Sequence, residues 1–328
     1  KIECDKHLSV DAPHIYIEDC MEWQDSRLNV DIVKLDAMPA LPNLLKELLQ
    51  VEVPSVVDSL LPCAVSLRAD GSLPALKESL ELQGAVGHIK ADGDLSYLAD
   101  RNRLSAKTNW RLNIPTLEPI LHSDMVGKVV GEMSSDVDWD LKKQPNVRLS
   151  ALISSVALKH YDYDTLRIDG SLLSDVLNVD FSSPDPNCRL ALSAKATHFL
   201  TDSMKTTLHA NIANFAPQTL HLADSIGDLQ IKGLVNLTGT GMDYNQWDGE
   251  IQLDSFSVSN DSSRYFVRHL NVKQSIQGDE KTVKIDSPIL KGEMSGAFDY
   301  ADIYASFVRV MHKYLPTFFQ VVKEPIGP

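Results

Sequence analysis

The stretch Leu104-Ser105-Ala106-Lys107-Thr108-Asn109-Trp110-Arg111-Leu112-Asn113-Ile114 alternates without a break. Leu104, Ala106, Thr108, Trp110, Leu112 and Ile114 share one parity, and the residues between them are polar or charged. Successive strand residues point to opposite faces, so this segment reads as a strand with one apolar and one wet face. The pattern recurs at Val65–Asp70, Val147–Ala151, Leu177–Phe181, Arg189–Ala196 and Val283–Asp286. Many such strands predict a mainly β fold: an elongated, mostly antiparallel, curved and groove-like sheet with a few short amphipathic helices. Around sixteen candidates would make a sheet of roughly 75 Å at the spacing of paired strands.

Outward from that stretch, the bulk properties narrow the partners. The chain has 328 residues, 43% of them hydrophobic, and a formal net charge of −14. That length supports one large core or two ordinary domains. The acidic surface repels phosphate backbones, which argues against nucleic acid, and no basic patch is dense enough to hold anionic headgroups. Cys4, Cys20, Cys63 and Cys188 form no CxxC pair. Two disulfides are possible, but the irregular spacings favour free thiols. No apolar run approaches the roughly 20 residues of a membrane span. The opening Lys1-Ile2-Glu3-Cys4-Asp5 reads as an excised piece of a longer protein, with any anchor outside it.

Residues 1–63 hold short strand candidates and then a change of period. Leu41, Leu44, Leu45, Leu48 and Leu49 fall on one helical face, and Val56, Val57, Leu60 and Leu61 predict a second short helix. Residues 64–299 read as the elongated sheet module, with helical interruptions expected near 116–125 (Leu117, Ile120, Leu121) and 202–215 (Met204, Leu208, Ile212, Phe215). Residues 300–328 read as an amphipathic helix and tail, with Ile303, Phe307, Val310, Met311 and Tyr314 on one side. The helices are expected to cover the sheet or its edges, burying Leu44, Leu48, Phe307 and Met311. Asp70-Gly71, Asp92-Gly93, Asp169-Gly170 and Asp248-Gly249 read as hairpin turns or bulges, since both residues tolerate positive φ. Three of them sit in a weak repeat of the form apolar, basic, small or apolar, Asp, Gly, polar, Leu.

The sequence offers little to catalysis. It has no GxSxG elbow, phosphate-binding loop, GxGxxG or HExxH. Its histidines are scattered without metal spacing, so no metal or cofactor is expected and the chain reads as non-enzymatic. Asp243–Gly249 superficially follows a calcium loop, but its third acidic position is displaced and no closing Glu follows. His160–Asp164 reads as a polar connection. The apolar faces remain. Composition alone favours two sheets packed as a sandwich or helices laid on the sheet; the small residues Ala106, Ala151, Ala194 and Ala196 shift the balance a little toward a trough. The candidate lining is Leu67, Ile89, Leu104, Trp110, Leu112, Leu149, Leu166, Ile168, Val179, Leu190, Leu192, Ile251, Leu253, Val283 and Ile285, expected on one continuous face.

The Asp-Gly-x-Leu units, followed by Leu104-Ser105-Ala106-Lys107-Thr108 and Leu112-Asn113-Ile114, resemble the AsmA/TamB superfamily. Gly296–Phe307, followed by Tyr314-Leu315-Pro316, resembles the TamB-type proteins of Bacteroidetes. The likeness spans roughly residues 64 to 316. It implies a periplasmic protein of a Gram-negative bacterium, anchored in the inner membrane by a segment outside this chain. It also implies a taco-shaped sheet with an apolar groove, associated with moving phospholipid between the membranes and with outer-membrane biogenesis, and an outer-membrane partner engaged through other regions. No catalytic residues come with it. Each CH₂ taken out of water contributes ~0.8 kcal/mol, so a 16-carbon chain in a dry trough gains up to ~12 kcal/mol. The alternatives are a structural module for envelope assembly and, more distantly, a β-rich hydrolase.

Overall fold

The structure is a computed structural model describing residues 2–4, 7–18, 26–49, 55–98, 102–199, 201–223, 228–243, 245–260, 263–278 and 280–300. The strands are β1 (Ile2–Cys4), β2 (Leu8–Asp11), β3 (His14–Ile17), β4 (Arg27–Ala37), β5 (Cys63–Ser72), β6 (Ala75–Gly84), β7 (Gly87–Leu98), β8 (Arg103–Ile114), β9 (Val126–Asp140), β10 (Asn146–Leu158), β11 (Tyr161–Leu173), β12 (Val176–Ser183), β13 (Cys188–Thr197), β14 (Lys205–Phe215), β15 (Gln230–Thr240), β16 (Asp248–Ser259), β17 (Arg264–Gln277), β18 (Glu280–Asp286) and β19 (Lys291–Gly296). The helices are α1 (Leu41–Leu49), α2 (Ser55–Leu60) and α3 (Glu118–Leu121).

All nineteen strands belong to one curved antiparallel sheet that does not close into a barrel. From β4 to β19 each strand pairs with its neighbour in the chain. The far edge of β4 is shared by β2 and β3, and β1 pairs with β2. Laid flat, such a meander would measure about 80 Å across its strands. The sheet crosses the expected boundary at residues 63 and 64, because β4 pairs with β5 over Ala37–Cys63 to Arg27–Ser72.

Directly opposed residues point to the same side, so register fixes the composition of each face. One transverse row reads Asp31, Arg68, Ser79, Asp92, Asn109, Ser134, Ser150, Asp169 and Asp180, and continues through Ser193, His209, Asn236, Gln252, Asn271 and Asp286 to Lys291. Every member is polar. The adjoining row alternates in sign: Asp70, Lys77, Asp94, Lys107, Asp136, Arg148. Lys107 and Arg148 each lie 3.8 Å from the Asp136 carboxylate. Opposite charges facing across strands hold register, and they make this face a poor surface for stacking another sheet.

The Asp-Gly pairs are not turns. Asp70-Gly71, Asp92-Gly93 and Asp169-Gly170 lie inside β5, β7 and β11, and Asp248-Gly249 opens β16. In the first three the Asp faces the polar side and accepts a hydrogen bond from the neighbouring strand: from Asn29 Nδ2 at 2.9 Å, Ser79 Oγ at 2.6 Å and Ser150 Oγ at 2.5 Å. The repeat is therefore a strand-to-strand bracket. The chain turns instead at pairs such as Leu73-Pro74, Ala85-Val86 and Lys159-His160. Lys159 and His160 have φ of 48° and 64°, the positive values a tight hairpin demands.

The helix expected over 202–215 is strand β14. A spacing of four serves both periods: Leu208 and Ile212 repeat on a helix and also share parity with Ala210 on a strand. A register shift between Ile212 and Phe215 returns Phe215 to the apolar side, opposite Cys188 and Ile231. The helix near 116–125 shrinks to the single turn α3, with Leu121 exposed. His160–Asp164 is not a connection either, since Tyr161 opens β11 and Tyr163 is buried. Leu44 in α1 is half-buried. The Leu48 side chain and the expected helix over 302–315, with Phe307 and Met311, lie outside the described residues. Cys4, Cys63 and Cys188 are free thiols, and Cys20 lies outside the described residues.

Candidate apolar trough

The face opposite the polar rows carries the candidate site. Its central row runs Ile32, Leu67, Leu80, Ala91, Trp110, Met133, Ala151 and Ile168, then Phe181, Leu192, Ala210, Val235, Leu253 and Leu270. Every member is apolar across the span from β4 to β17. A second row passes through Leu149, Val179, Ile251 and Ile285. A third joins Ile89 to Leu112 and, through Gly131 and Ile153, to Leu166. Leu190 lies opposite Ile212, Leu104 opposite Trp139, and Val283 opposite Gln274. Register thus places all the lining candidates named from the sequence on one face.

Sequence reading missed their equals Ile32, Leu80, Met133, Phe181, Val235 and Leu270. The signal was present: each stands in an alternating run, but only register shows that the runs align.

Most of this face is half-buried rather than packed. Trp110, Leu149, Ile168, Val179, Leu192, Leu253 and Ile285 are all intermediate in exposure, while Leu166 and Val283 are buried. A large side chain left half in water retains apolar area that a ligand could cover, at about 25 cal/mol per Å². A packed sandwich would bury the central row fully, as interiors reach crystal-like density.

The buried hydrophobic cluster lies at one long margin. Val156, Tyr163, Leu166, Cys188 and Leu220 form a buried cluster, flanked by Val129, Ile153, Leu158, Tyr161, Phe181, Leu190 and Phe215. Leu220 comes from the β14–β15 connection and has no exposed surface. Its segment is pinned by Leu220 N–H to Ala216 O at 3.0 Å and by a 2.8 Å contact between His221 Nδ1 and Lys159 O. Asp185, 2% exposed, accepts from Tyr161 Oη, Asn187 N–H and Asp164 N–H. On the same margin α2 contacts α3, and Val86 is buried in its turn. At the opposite margin Trp139 Nε1 donates to Lys143 O at 2.8 Å, and the Trp247 ring lies against Gly239 and Gly249.

Burial pushes the Cys188 thiol up, and the Asp185 charge adds to it. A thiol held protonated is not an activated nucleophile. Burial drives the Tyr163 phenol up to about 12. Among the described residues no three His, Cys, Asp or Glu side chains converge as a metal set, and no helix is long and apolar enough to cross a membrane. Asp243 caps its own turn, accepting from Asn245 N–H at 2.8 Å. The polar face carries a shallow depression of about 950 Å³ over β6–β12, lined by Asp92, Asn109, Ser134, Ser150 and Asp169 among others. Within it Ser150 Oγ donates to Asp169 Oδ1 at 2.5 Å. Compared with known proteins, the chain matches no family model, no curated protein and no solved structure.

Proposed function

We propose that this chain binds the acyl chains of phospholipid along its apolar face and lets them slide across successive strands. In this reading it is a non-enzymatic segment of an AsmA/TamB-like protein of the bacterial periplasm, serving lipid traffic between the membranes and outer-membrane biogenesis. The observation that carries it is the unbroken apolar row from Ile32 to Leu270, half-buried along its middle. Neighbouring positions on that row are chemically alike, so a chain gains little by stopping at any one of them. A packed cluster lies along one margin of this face.

Native mass spectrometry of the protein after incubation with phospholipid vesicles tests the proposal. The expected result is adducts at the mass of whole phospholipid, removed by a detergent that competes for apolar surface. A protein that stays free of lipid under these conditions refutes it.

An envelope scaffold is the second reading, and one set of side chains favours it. Tyr265 and Phe266 on β17 and Ile289 and Leu290 before β19 are exposed. Exposed apolar side chains toward the end of a sheet suit a protein contact.

A further inference from the structure

Glu78 stands on the apolar side of β6, between Leu76 and Leu80 and opposite Ala69 and Gly93. Among the described residues of β5 to β16 it is the one charged side chain on that face. Among the described residues no hydrogen bond or ion pair reaches it. The next residues along its row are Gly93, Thr108 and Ser135. Gly93 carries no side chain beside the carboxylate because the next strand crowds it: a Cβ there would stand 2.6 Å from Lys107 O and 2.9 Å from Thr108 Oγ1. Thr108 is 7% exposed. Ser135 Oγ accepts from Trp110 Nε1 at 3.2 Å. A short polar strip therefore interrupts the apolar wall over β6–β9, with an uncompensated negative charge at one end.

We infer that this strip is a headgroup subsite, in which Glu78 receives the ammonium of a zwitterionic phospholipid while the acyl chains lie on the flanking apolar rows. The inference rests on the lipid reading above and adds headgroup selection to it. A carboxylate on a half-buried apolar wall is stabilised by a cation brought to it, and this face offers none of its own over β5–β16. An ammonium headgroup supplies that cation, with N–H donors for the carboxylate. A headgroup carrying only phosphate and glycerol brings a net negative charge to the same spot and is disfavoured.

The test incubates the protein with vesicles of equal phosphatidylethanolamine and phosphatidylglycerol and measures bound lipid by mass spectrometry. The protein should take up the ethanolamine lipid in excess by about threefold, the scale of one partly solvated ion pair. Glu78→Gln should bring the ratio to parity with total uptake unchanged, and Glu78→Lys should invert it. Circular dichroism identifies any variant that fails to fold, and Glu78→Leu then stands in as the neutral variant. Uptake without preference, or a preference that survives Glu78→Gln, overturns the subsite and leaves the lipid reading intact. Uptake of neither lipid overturns the lipid reading, and the subsite with it.

Discussion

The Tyr161 hydroxyl donates a 2.8 Å hydrogen bond to Oδ1 of Asp185, tying β11 to the connection between β12 and β13. The same carboxylate accepts from Asn187 N–H at 2.8 Å and Asp164 N–H at 3.1 Å. Asp185→Ala strips three donors of their acceptor inside a packed margin. It should destabilise the chain by about 2–4 kcal/mol, since each buried unsatisfied group costs on the order of 1–3. Tyr161→Phe, which removes one donor and leaves the carboxylate its two amides, should cost less. Urea midpoints of the two variants decide the order.

Alkaline pH should loosen the same margin. The Tyr163 phenol is held up at about 12 against an ordinary 10.0, chiefly by burial. The folded state thus favours the neutral phenol. That contribution is complete below pH 10 and is lost as pH rises toward 12. Tyr163→Phe should remove roughly 2 kcal/mol of pH dependence across this window and change little below it. Denaturant midpoints on either side of the window measure it.

Leu192 sits in the central apolar row between Phe181 and Ala210. Leu192→Glu places a carboxylate on the central row. In an open trough the protein should stay folded, at a cost of about 1–3 kcal/mol, and lose acyl-chain crosslinking at neighbouring positions. A close-packed sandwich would unfold instead. Circular dichroism alongside a photo-crosslinkable fatty acid separates the outcomes, and a folded variant that captures lipid along its full length refutes the conduit.

Gly239 and Gly249 face each other beneath the Trp247 ring. A methyl group at Gly239 meets that ring at once. Gly239→Ala should lift Trp247 toward water at a cost of about 1–3 kcal/mol, the usual scale of overpacking. Its emission should shift to the red, a change that Gly278→Ala, with nothing within 4 Å, should not produce.

Much of this sheet was legible in β8, β12 and β13, where alternation is unbroken and the apolar set follows at sight. It failed at β14 because Leu208 and Ile212, four apart, satisfy both periods. It failed at the Asp-Gly pairs for a different reason. Gly93 and Gly131 are small because neighbouring strands crowd them: a Cβ would meet Lys107 O and Thr108 at the first, and Leu152 O and Ile153 at the second. The actual turn at Lys159-His160 contains neither Gly nor Asn and gave no local warning. Leu220 was invisible, since a single leucine in a connection has no periodicity. Glu78 was visible as a polar intruder at an apolar parity, although only register showed how far its face runs without another charge.

From β4 onward each strand is held by the strands just before and after it in the chain. Tension applied between the two ends of such a meander acts across the strands, and it loads the hydrogen bonds of one ladder at a time instead of shearing many together. The molecule should therefore yield to pulling as a zipper does, releasing one strand's length at each step at low force. A force–extension trace should show a run of small, similar rips, and the strands still paired should keep their register while their neighbours let go.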